Sequence, residues 1–210
     1  MQESKLLYRI SPTLLNNWSF FKEDAPFMKE GAFLSRLNRE SRETSFAMTR
    51  GNKFEAEIMN PGTHPDEKFP AEVVNEFVKR TQGGAWQVPV YYLVEIPGTQ
   101  HMARIGGFMD VVGRSPIAYD IKTTKYYQDD AFLKKWQHKC YLIGLDKVGS
   151  RIDRFEYLIT DFEDWFVEGY DYRPEHWLAE LKDELYDFHC YVQRNAYRIN
   201  PQSIYVSTSK

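Results

Sequence analysis

Apolar residues recur along the chain with two different periods, and the period separates the predicted helices from the predicted strands. Repeats of three to four residues predict helices over residues 12–22, 27–39, 47–59, 70–81, 129–145 and 174–194. Alternation and short apolar runs between turn residues predict strands over residues 88–96, 104–112, 117–123 and 152–160. A run of three strands followed by a helix and a further strand indicates an α/β fold with a central mixed sheet flanked by helices.

The N-terminal end of the chain is predicted to form a capped helix, whereas the C-terminal end is predicted to be a loose tail. Ser11 is a suitable N-cap and Pro12 a suitable first residue for the first helix. The apolar face of the long helix over residues 174–194 indicates a packing surface rather than a partner-binding surface. Residues 200–210 are predicted to form a loose tail. The length suits one domain over residues 1–210, with helices added at both ends of the α/β core.

A tight turn joins the second and third predicted strands. If the loop covers residues 113–117, Val112 pairs with Ala118 and Asp110 lies directly opposite Asp120. Their Cβ atoms would then be about 4.5–5.5 Å apart. A register shifted by one residue would separate the two carboxylates.

The expected Asp110–Asp120 pair needs a counter-charge. Two carboxylates at this separation repel each other, and a divalent cation such as Mg²⁺ relieves the repulsion. Strand alternation places Lys122 on the same face as Asp120, where its ammonium can meet a phosphate or an attacking water. The three side chains together predict a site for metal-dependent phosphodiester hydrolysis.

The second predicted strand also carries two glycines. Alternation places Met109 and Val111 on one face of this strand and Asp110 on the other. Gly106 and Gly107 in mid-strand indicate either a bulge or the close approach of a ligand such as a DNA backbone.

The helix over residues 47–59 offers a third carboxylate. Glu55 borders its apolar face one turn after Gly51, whereas Glu57 points about 200° away from that face. Only one of the two can reach a shared site, and we choose Glu55. The alternative is that Glu55 is an ordinary surface glutamate.

Two polar residues lie on one flank of the helix that follows the hairpin. Gln137 and Tyr141 are four residues apart and are therefore neighbours on the helix surface. By themselves they would indicate no more than a polar flank. Cys140 is predicted to be a small packing residue rather than a reactive thiol.

These residues resemble those of a known family. Asp110 followed by Asp120-Ile121-Lys122 is similar to the PD-(D/E)XK nuclease motif, and the chain looks like the RecB-like, phage-type exonuclease branch. The similar stretches are Ile10 to Leu14 with Trp18, Arg50 to Glu55, Gly107 to Asp110, Asp120 to Thr123, and Gln137 with Tyr141. Each motif is weakly specific alone, and their shared order strengthens the resemblance.

The resemblance implies a restriction-endonuclease-like core and Mg²⁺- or Mn²⁺-dependent DNA hydrolysis in recombination, repair or phage DNA metabolism. Exonuclease activity is favoured over site-specific cutting. It implies metal ligands at Asp110, Asp120, Glu55 and the carbonyl of Ile121, with Lys122 positioning the water. It implies DNA contacts at Gln137 and Tyr141, and we add the neighbouring cations Lys125 and Lys134.

Two other functions fit the same residues. A catalytically idle nucleic-acid-binding or assembly module could keep the fold, although no acidic or lysine position is lost here. Alternatively, the carboxylates could hold a metal for a different hydrolysis.

Composition limits the partners. The net charge of −3 gives no general affinity for nucleic acid, so DNA contacts require local cations. The two cysteines, Cys140 and Cys190, cannot supply the four ligands of the iron–sulfur cluster that some RecB-like nucleases hold. The N-terminus is polar and no apolar run approaches about 18 residues, so we expect a cytoplasmic protein with no membrane contact. A homo-oligomer or a recombination or repair partner protein is compatible with the sequence.

Overall fold

The computed structural model describes residues 6–41, 43–114 and 116–206 of the chain. The strands are β1 (Leu7–Ile10), β2 (Ala85–Glu95), β3 (Met102–Val112), β4 (Ile117–Thr123), β5 (Arg154–Thr160) and β6 (Trp165–Asp171). The helices are α1 (Pro12–Lys22), α2 (Glu30–Leu37), α3 (Phe46–Met59), α4 (Ala71–Thr81), α5 (Trp136–Lys147), α6 (Pro174–Arg194) and α7 (Pro201–Ile204). Ser115 of the predicted turn and residues 207–210 of the predicted tail lie outside the described residues.

The strands form one mixed sheet in the order β1-β3-β4-β5-β6, with β2 on the second edge of β3. β1 is parallel to β3 and β4 is parallel to β5, while the other pairs are antiparallel. The central mixed sheet flanked by helices is therefore confirmed. Within the described ranges, no helix combines the length and apolar character needed to cross a membrane.

Strand β3 shares one of its edges between two partners. β2 pairs with the opposite edge along almost its whole length. On the shared edge, β1 pairs with residues 102–105, and β4 pairs only through Val111↔Tyr119 and Val112↔Ala118. The predicted hairpin register is thus confirmed. On this shared edge, residues 106–110 lie between β1 and β4 and have no described strand as a partner. This opening is called the β3 gap below.

The sheet separates two hydrophobic cores. The first core packs under α1, α2, α5 and α6, and its fully buried members include Leu15, Phe33, Cys140 and Leu181. The second core lies under α3 and α4 on the opposite face, and includes Phe54, Phe77 and Leu158. Alternation decides which core a strand residue joins. On β4, Ala118 joins the first core and Tyr119 the second.

This alternation breaks at Asp110. Met109 belongs to the first core and Val111 to the second, so our prediction that both share a face is wrong. Across the ladder, Val88 pairs with Met109 and Trp86 with Val111, and Gln87 between them has a φ of +50°. A residue with a left-handed backbone rotates the strand about its axis, so the side chains on its two sides no longer follow one alternation. The break leaves Asp110 at the end of the β3 gap rather than within a regular ladder.

The two glycines on β3 do not form a bulge. The ladder runs without interruption through Val90↔Gly107 and Tyr91↔Gly106. Gly106 has a φ of +148°, and a Cβ there would lie 1.9 Å from the carbonyl oxygen of Val90. The backbone of β2, not a ligand, therefore requires this glycine.

Three other predictions are wrong. The helix predicted over residues 129–145 begins at Trp136, because residues 128–135 form successive turns and Asp130 has a φ of +62°. The tail is ordered up to residue 206, where the Val206 N–H donates to the Leu7 carbonyl. The sequence pattern also missed β1 and β6 entirely.

Candidate active site

Asp110 and Asp120 lie where β3 and β4 diverge. The Oδ2 atom of Asp110 accepts the backbone N–H of Ile121 at 2.9 Å and so bridges the two strands beyond their last ladder pair. A strand residue directs its N–H and C=O to the same edge. The Ile121 carbonyl is therefore directed toward Asp110 as well, at the predicted metal position.

Asp120 is fully buried among these groups. Its Oδ1 accepts a hydrogen bond from Gln137 Nε2, and its Oδ2 forms an ion pair with Lys122 Nζ. Apart from Lys122, Oδ2 has no polar partner among the described residues. Burial, helped by the nearby charge of Asp110, raises the pKa of Asp120 from 3.8 to about 7, although Lys122 acts in the opposite direction. The carboxylate thus lacks part of the positive charge it needs.

Lys122 is the cation of this cluster. Its ammonium pairs with the buried carboxylate of Asp120. Burial lowers its pKa, but the carboxylates of Asp120 and Asp110 outweigh burial, and the net pKa is raised. Lys122 is therefore a charged donor rather than a neutral base at pH 7.

Helix α3 brings Glu55 to the same place. A Cβ on Gly51 would lie 2.8 Å from Thr123 Oγ1, so this glycine permits the close contact between α3 and β4. One turn later, Glu55 accepts a hydrogen bond of 2.6 Å from Gln87 Nε2. Burial and, to a smaller extent, the charge of Asp110 raise the pKa of Glu55, whereas Lys122 and Gln87 act in the opposite direction.

Glu57 lies elsewhere. Its two carboxylate oxygens accept the backbone N–H groups of Gly62 and His64, at 2.6 and 3.0 Å. These bonds fix the loop after α3 and lower the pKa of Glu57. Of the two glutamates weighed from the sequence, the structure brings Glu55 alone to the carboxylate pair.

Gln137 and Tyr141 on α5 form hydrogen bonds to Asp120 and to β3. Gln137 donates to Asp120, so its amide holds a carboxylate rather than facing a DNA path. Tyr141 is only 4% exposed and donates its hydroxyl to the carbonyl of Phe108 in the β3 gap, at 2.7 Å. The expected DNA contact through Tyr141 is therefore corrected, because its ring is covered by the first core.

The two predicted DNA-binding lysines lie in different places. Lys125 is exposed just beyond β4, three residues after Lys122, and lines a groove between the first turns of α3 and the segment after β4. Lys134 lines a separate groove with His138 and Trp177, and its ammonium lies 3.8 Å from a Glu23 carboxylate oxygen. The structure does not bring Lys134 to the carboxylate cluster.

Gln87 is the site residue that the sequence pattern missed. Gln87 has a left-handed backbone at the point where the alternation of β2 breaks, opposite Asp110, and from there its side chain bonds to Glu55. The only sequence signal was a polar residue between the apolar Trp86 and Val88, which is also the pattern of an ordinary strand.

The donor set fits a hard divalent cation. Asp110 and Asp120 supply carboxylate oxygens, the Ile121 N–H that bonds Asp110 places the Ile121 carbonyl on the same strand edge, and Asp120 Oδ2 has only Lys122 as a partner. In the part of the chain that the structure describes, no three His, Cys, Asp or Glu side chains are close enough to hold an ion together. Mg²⁺ commonly uses one or two carboxylates with waters and a phosphate, so the aspartate pair suffices. Glu55 would have to release Gln87 to ligate directly.

One solved structure supports the fold. No protein-family model and no curated protein sequence matches the chain. A crystal structure described as "Putative exonuclease" from Eubacterium rectale is similar, with a TM-score of 0.50 and 15% identity, over 91% of this chain and 83% of that chain. The crystal structure of SSO0001 gives a TM-score of 0.47 and 13% identity, over 88% of this chain and 77% of that chain. Identities this low leave the activity to be argued from the site.

Proposed function

We propose that this chain is a Mg²⁺- or Mn²⁺-dependent deoxyribonuclease that degrades DNA from its ends. The observation that carries the proposal is Asp120, a fully buried carboxylate beside Asp110 whose Oδ2 has Lys122 as its only partner among the described residues. Burying one carboxylate beside a second, half-buried one costs stability unless positive charge compensates both. A protein keeps such a pair when the pair has a chemical role.

The proposed ligands are the carboxylates of Asp110 and Asp120 and the carbonyl of Ile121, with Glu55 as a third carboxylate. When bound, the ion would polarise the scissile phosphate and lower the pKa of a water. Gln137 is a positioning residue, because its bond to Asp120 Oδ1 directs the other oxygen, Oδ2, into the site.

Lys122 has two states in this proposal. In the structure its ammonium pairs with Asp120 Oδ2, the oxygen that would ligate the ion. If a bound ion neutralised that oxygen, Lys122 Nζ would be free to donate to the attacking water or to a non-bridging phosphate oxygen. Its raised pKa keeps the ammonium charged, as stabilisation of a developing negative charge requires.

The preference for DNA ends rests on two similarities. The similar Eubacterium rectale structure carries a description that names exonuclease activity, and the motifs resemble the RecB-like exonuclease branch. A second candidate, an idle DNA-binding module, is favoured by one observation. Lys122 already neutralises Asp120 without a metal ion.

Cleavage assays separate the two candidates. Linear and circular DNA of the same sequence should be incubated with the protein and Mg²⁺, Mn²⁺ or EDTA. We expect loss of linear DNA only, and only with metal. Lys122→Met should abolish cleavage, whereas Lys79→Met, on the exposed face of α4, should cut at the parent rate. Binding without cleavage under every condition would establish the idle module instead.

The salt dependence of binding tests for a nucleic-acid ligand separately. If Arg50, Lys122 and Lys125 each neutralise one phosphate, the log–log slope of single-strand affinity against salt is about −2. An affinity that does not change with salt would argue against both candidates.

A further inference from the structure

A groove of about 550 Å³ is lined by residues that are close in sequence to the proposed site. It lies between the first turns of α3 and the segment after β4, and its walls include Phe46, Arg50, Thr123, Lys125, Tyr126 and Phe162. Thr123 is the residue after Lys122, and Arg50 precedes Glu55 by five residues on α3. The groove and the carboxylates therefore share the same two elements. Its volume is within the range of small-molecule pockets.

Two aromatic rings at the groove are largely uncovered. Phe46 is 82% exposed and Tyr126 is 75% exposed, and neither belongs to either hydrophobic core. Single exposed aromatics are common on protein surfaces. Two of them in one concave site beside charged groups are less common, and they offer flat faces for a planar ligand.

A third ring is held there in a strained conformation. Phe162 has a φ of +72°, which is rare for a bulky residue, and its N–H donates to Thr160 Oγ1 at 2.9 Å. The guanidinium carbon of Arg50 lies 3.8 Å from the centre of the Phe162 ring. Backbone strain of this kind persists where the surroundings enforce it, often at functional sites. Here it holds a stacked Arg–Phe pair at the groove.

The Tyr126 side of the groove is fixed by its neighbours. The N–H of Thr124 donates to the Thr160 carbonyl at 2.9 Å, and its hydroxyl donates to the Tyr126 carbonyl at 2.8 Å. The ammonium of Lys125 lies 5.0 Å from the centre of the Tyr126 ring. The ring is thus presented on a pinned segment with a cation next to it, a combination suited to a base and its phosphate.

The charges within the groove indicate which part of a nucleotide it accepts. Arg50 and Lys125 supply positive charge, while Asp161 and Glu163 place negative charge in the same wall. The Asp161 carboxylate accepts the N–H groups of Glu163 and Asp164, and these bonds lower its pKa and keep it charged. A phosphate beside this carboxylate would be repelled, whereas an uncharged base would not. We therefore place the base in the groove and its phosphates toward the cations.

We propose that this groove binds one unpaired nucleobase of a DNA strand next to the phosphate that is cleaved. The proposal rests on the proposed nuclease function and names its substrate class, a single-stranded or frayed end. A base in a duplex cannot enter the groove while it is stacked and paired, so blunt duplex ends would have to open first.

Abasic scanning tests this directly. A single-stranded oligonucleotide would be made in versions that each lack one base, and binding would be measured with the cleavage-deficient Asp120→Asn protein. Stacking of one base contributes about 1–3 kcal/mol, so removing the base in the groove should weaken binding about 5- to 100-fold. Removing the other bases should have little effect.

Variants then assign the sensitive position to the groove. In a Phe46→Ala/Tyr126→Ala protein, the full and abasic strands should bind equally. The matched control is Tyr197→Ala, since Tyr197 is 85% exposed and lies outside the groove, and it should keep the difference. The proposal is overturned if no position is sensitive, or if the double variant retains the sensitivity.

The same experiment distinguishes this failure from failure of the nuclease assignment. Metal-dependent cleavage by the parent with no base-sensitive position would reject the groove and leave the nuclease function standing. A base-sensitive position lost in the double variant, without cleavage under any metal condition, would reject the nuclease function and retain the groove as a base-binding site.

Discussion

Asp120→Asn without metal should reveal how much stability the buried carboxylate costs. The folded state raises the pKa of Asp120 from 3.8 to about 7, so it binds this proton more tightly than the unfolded chain does. Between about pH 4 and pH 7 the folded state therefore holds more protons, and the free energy of unfolding falls as the pH rises. Asparagine resembles the protonated form and removes this dependence.

The magnitude follows from the pKa difference. At about 1.4 kcal/mol per pKa unit, the ionised Asp120 destabilises the metal-free protein by at most about 4 kcal/mol above pH 7. Part of this is lost in the variant, because Lys122 loses its partner. That loss is limited, since the carboxylates of Asp110 and Glu55 still act on the Lys122 ammonium. We expect Asp120→Asn to be more stable than the parent by about 1–4 kcal/mol at pH 8 and equal to it near pH 4.

Urea unfolding in EDTA at pH 4.5, 6 and 8 measures this difference. Asp66→Asn, at an exposed loop position, is the control for loss of one negative charge. Mg²⁺ at about 100 times its Kd should add about 2.7 kcal/mol to the parent and much less to the Asn variant. A variant that is less stable than the parent at pH 8 in EDTA would refute the reasoning and make Asp120 a structural partner of Gln137 and Lys122.

Further substitutions test the supporting contacts. Gln137→Ala should lower Mn²⁺ affinity or cleavage about 10- to 100-fold, because the proposed ligand Asp120 loses its positioning bond. Calorimetry and the cleavage assay measure the two quantities, and unchanged values of both would contradict this role. Tyr141→Phe should cost about 1 kcal/mol in urea unfolding without changing DNA affinity; weaker DNA binding at unchanged stability would restore the DNA-path interpretation. Gly106→Ala should destabilise by about 3 kcal/mol or more, since its Cβ would meet a β2 carbonyl. Gly31→Ala on α2, with no atom within 4 Å, should instead gain up to about 1 kcal/mol; equal effects of the two would refute the contact argument.

Local patterns were sufficient where neighbours in sequence decide the structure. The bounds of β4 and of α1 and α6 follow from alternation, a helix N-cap and a long apolar face, and the hairpin register follows from loop length. β1 could not be found in this way. It has only four residues, and its support comes from pairing with Met102, far along the chain.

The site was predictable in position but not in bonding. Alternation correctly placed Asp120 beside Lys122, and helical spacing placed Gln137 beside Tyr141. Spacing does not show what an element packs against. The hydrogen bond from Gln137 to Asp120 and the burial of Tyr141 depend on how deeply α5 sits on the sheet. The reversal at Gln87 likewise depends on strand pairing rather than on its own residue type.

The division of the shared β3 edge also affects the order of folding. β4 follows β3 after a short turn in the sequence, whereas β1 pairs Leu7 with the distant Met102. β1 also forms a bridge between Tyr8 and Tyr205 near the other end of the chain. Closing a long loop costs more entropy than closing a hairpin turn, so we expect the carboxylate hairpin to form early and β1 to dock late. Kinetic φ-values near zero at Ile10 and well above zero at Ala118 would report this order. The proposed catalytic pair would then be assembled before the sheet around it is complete.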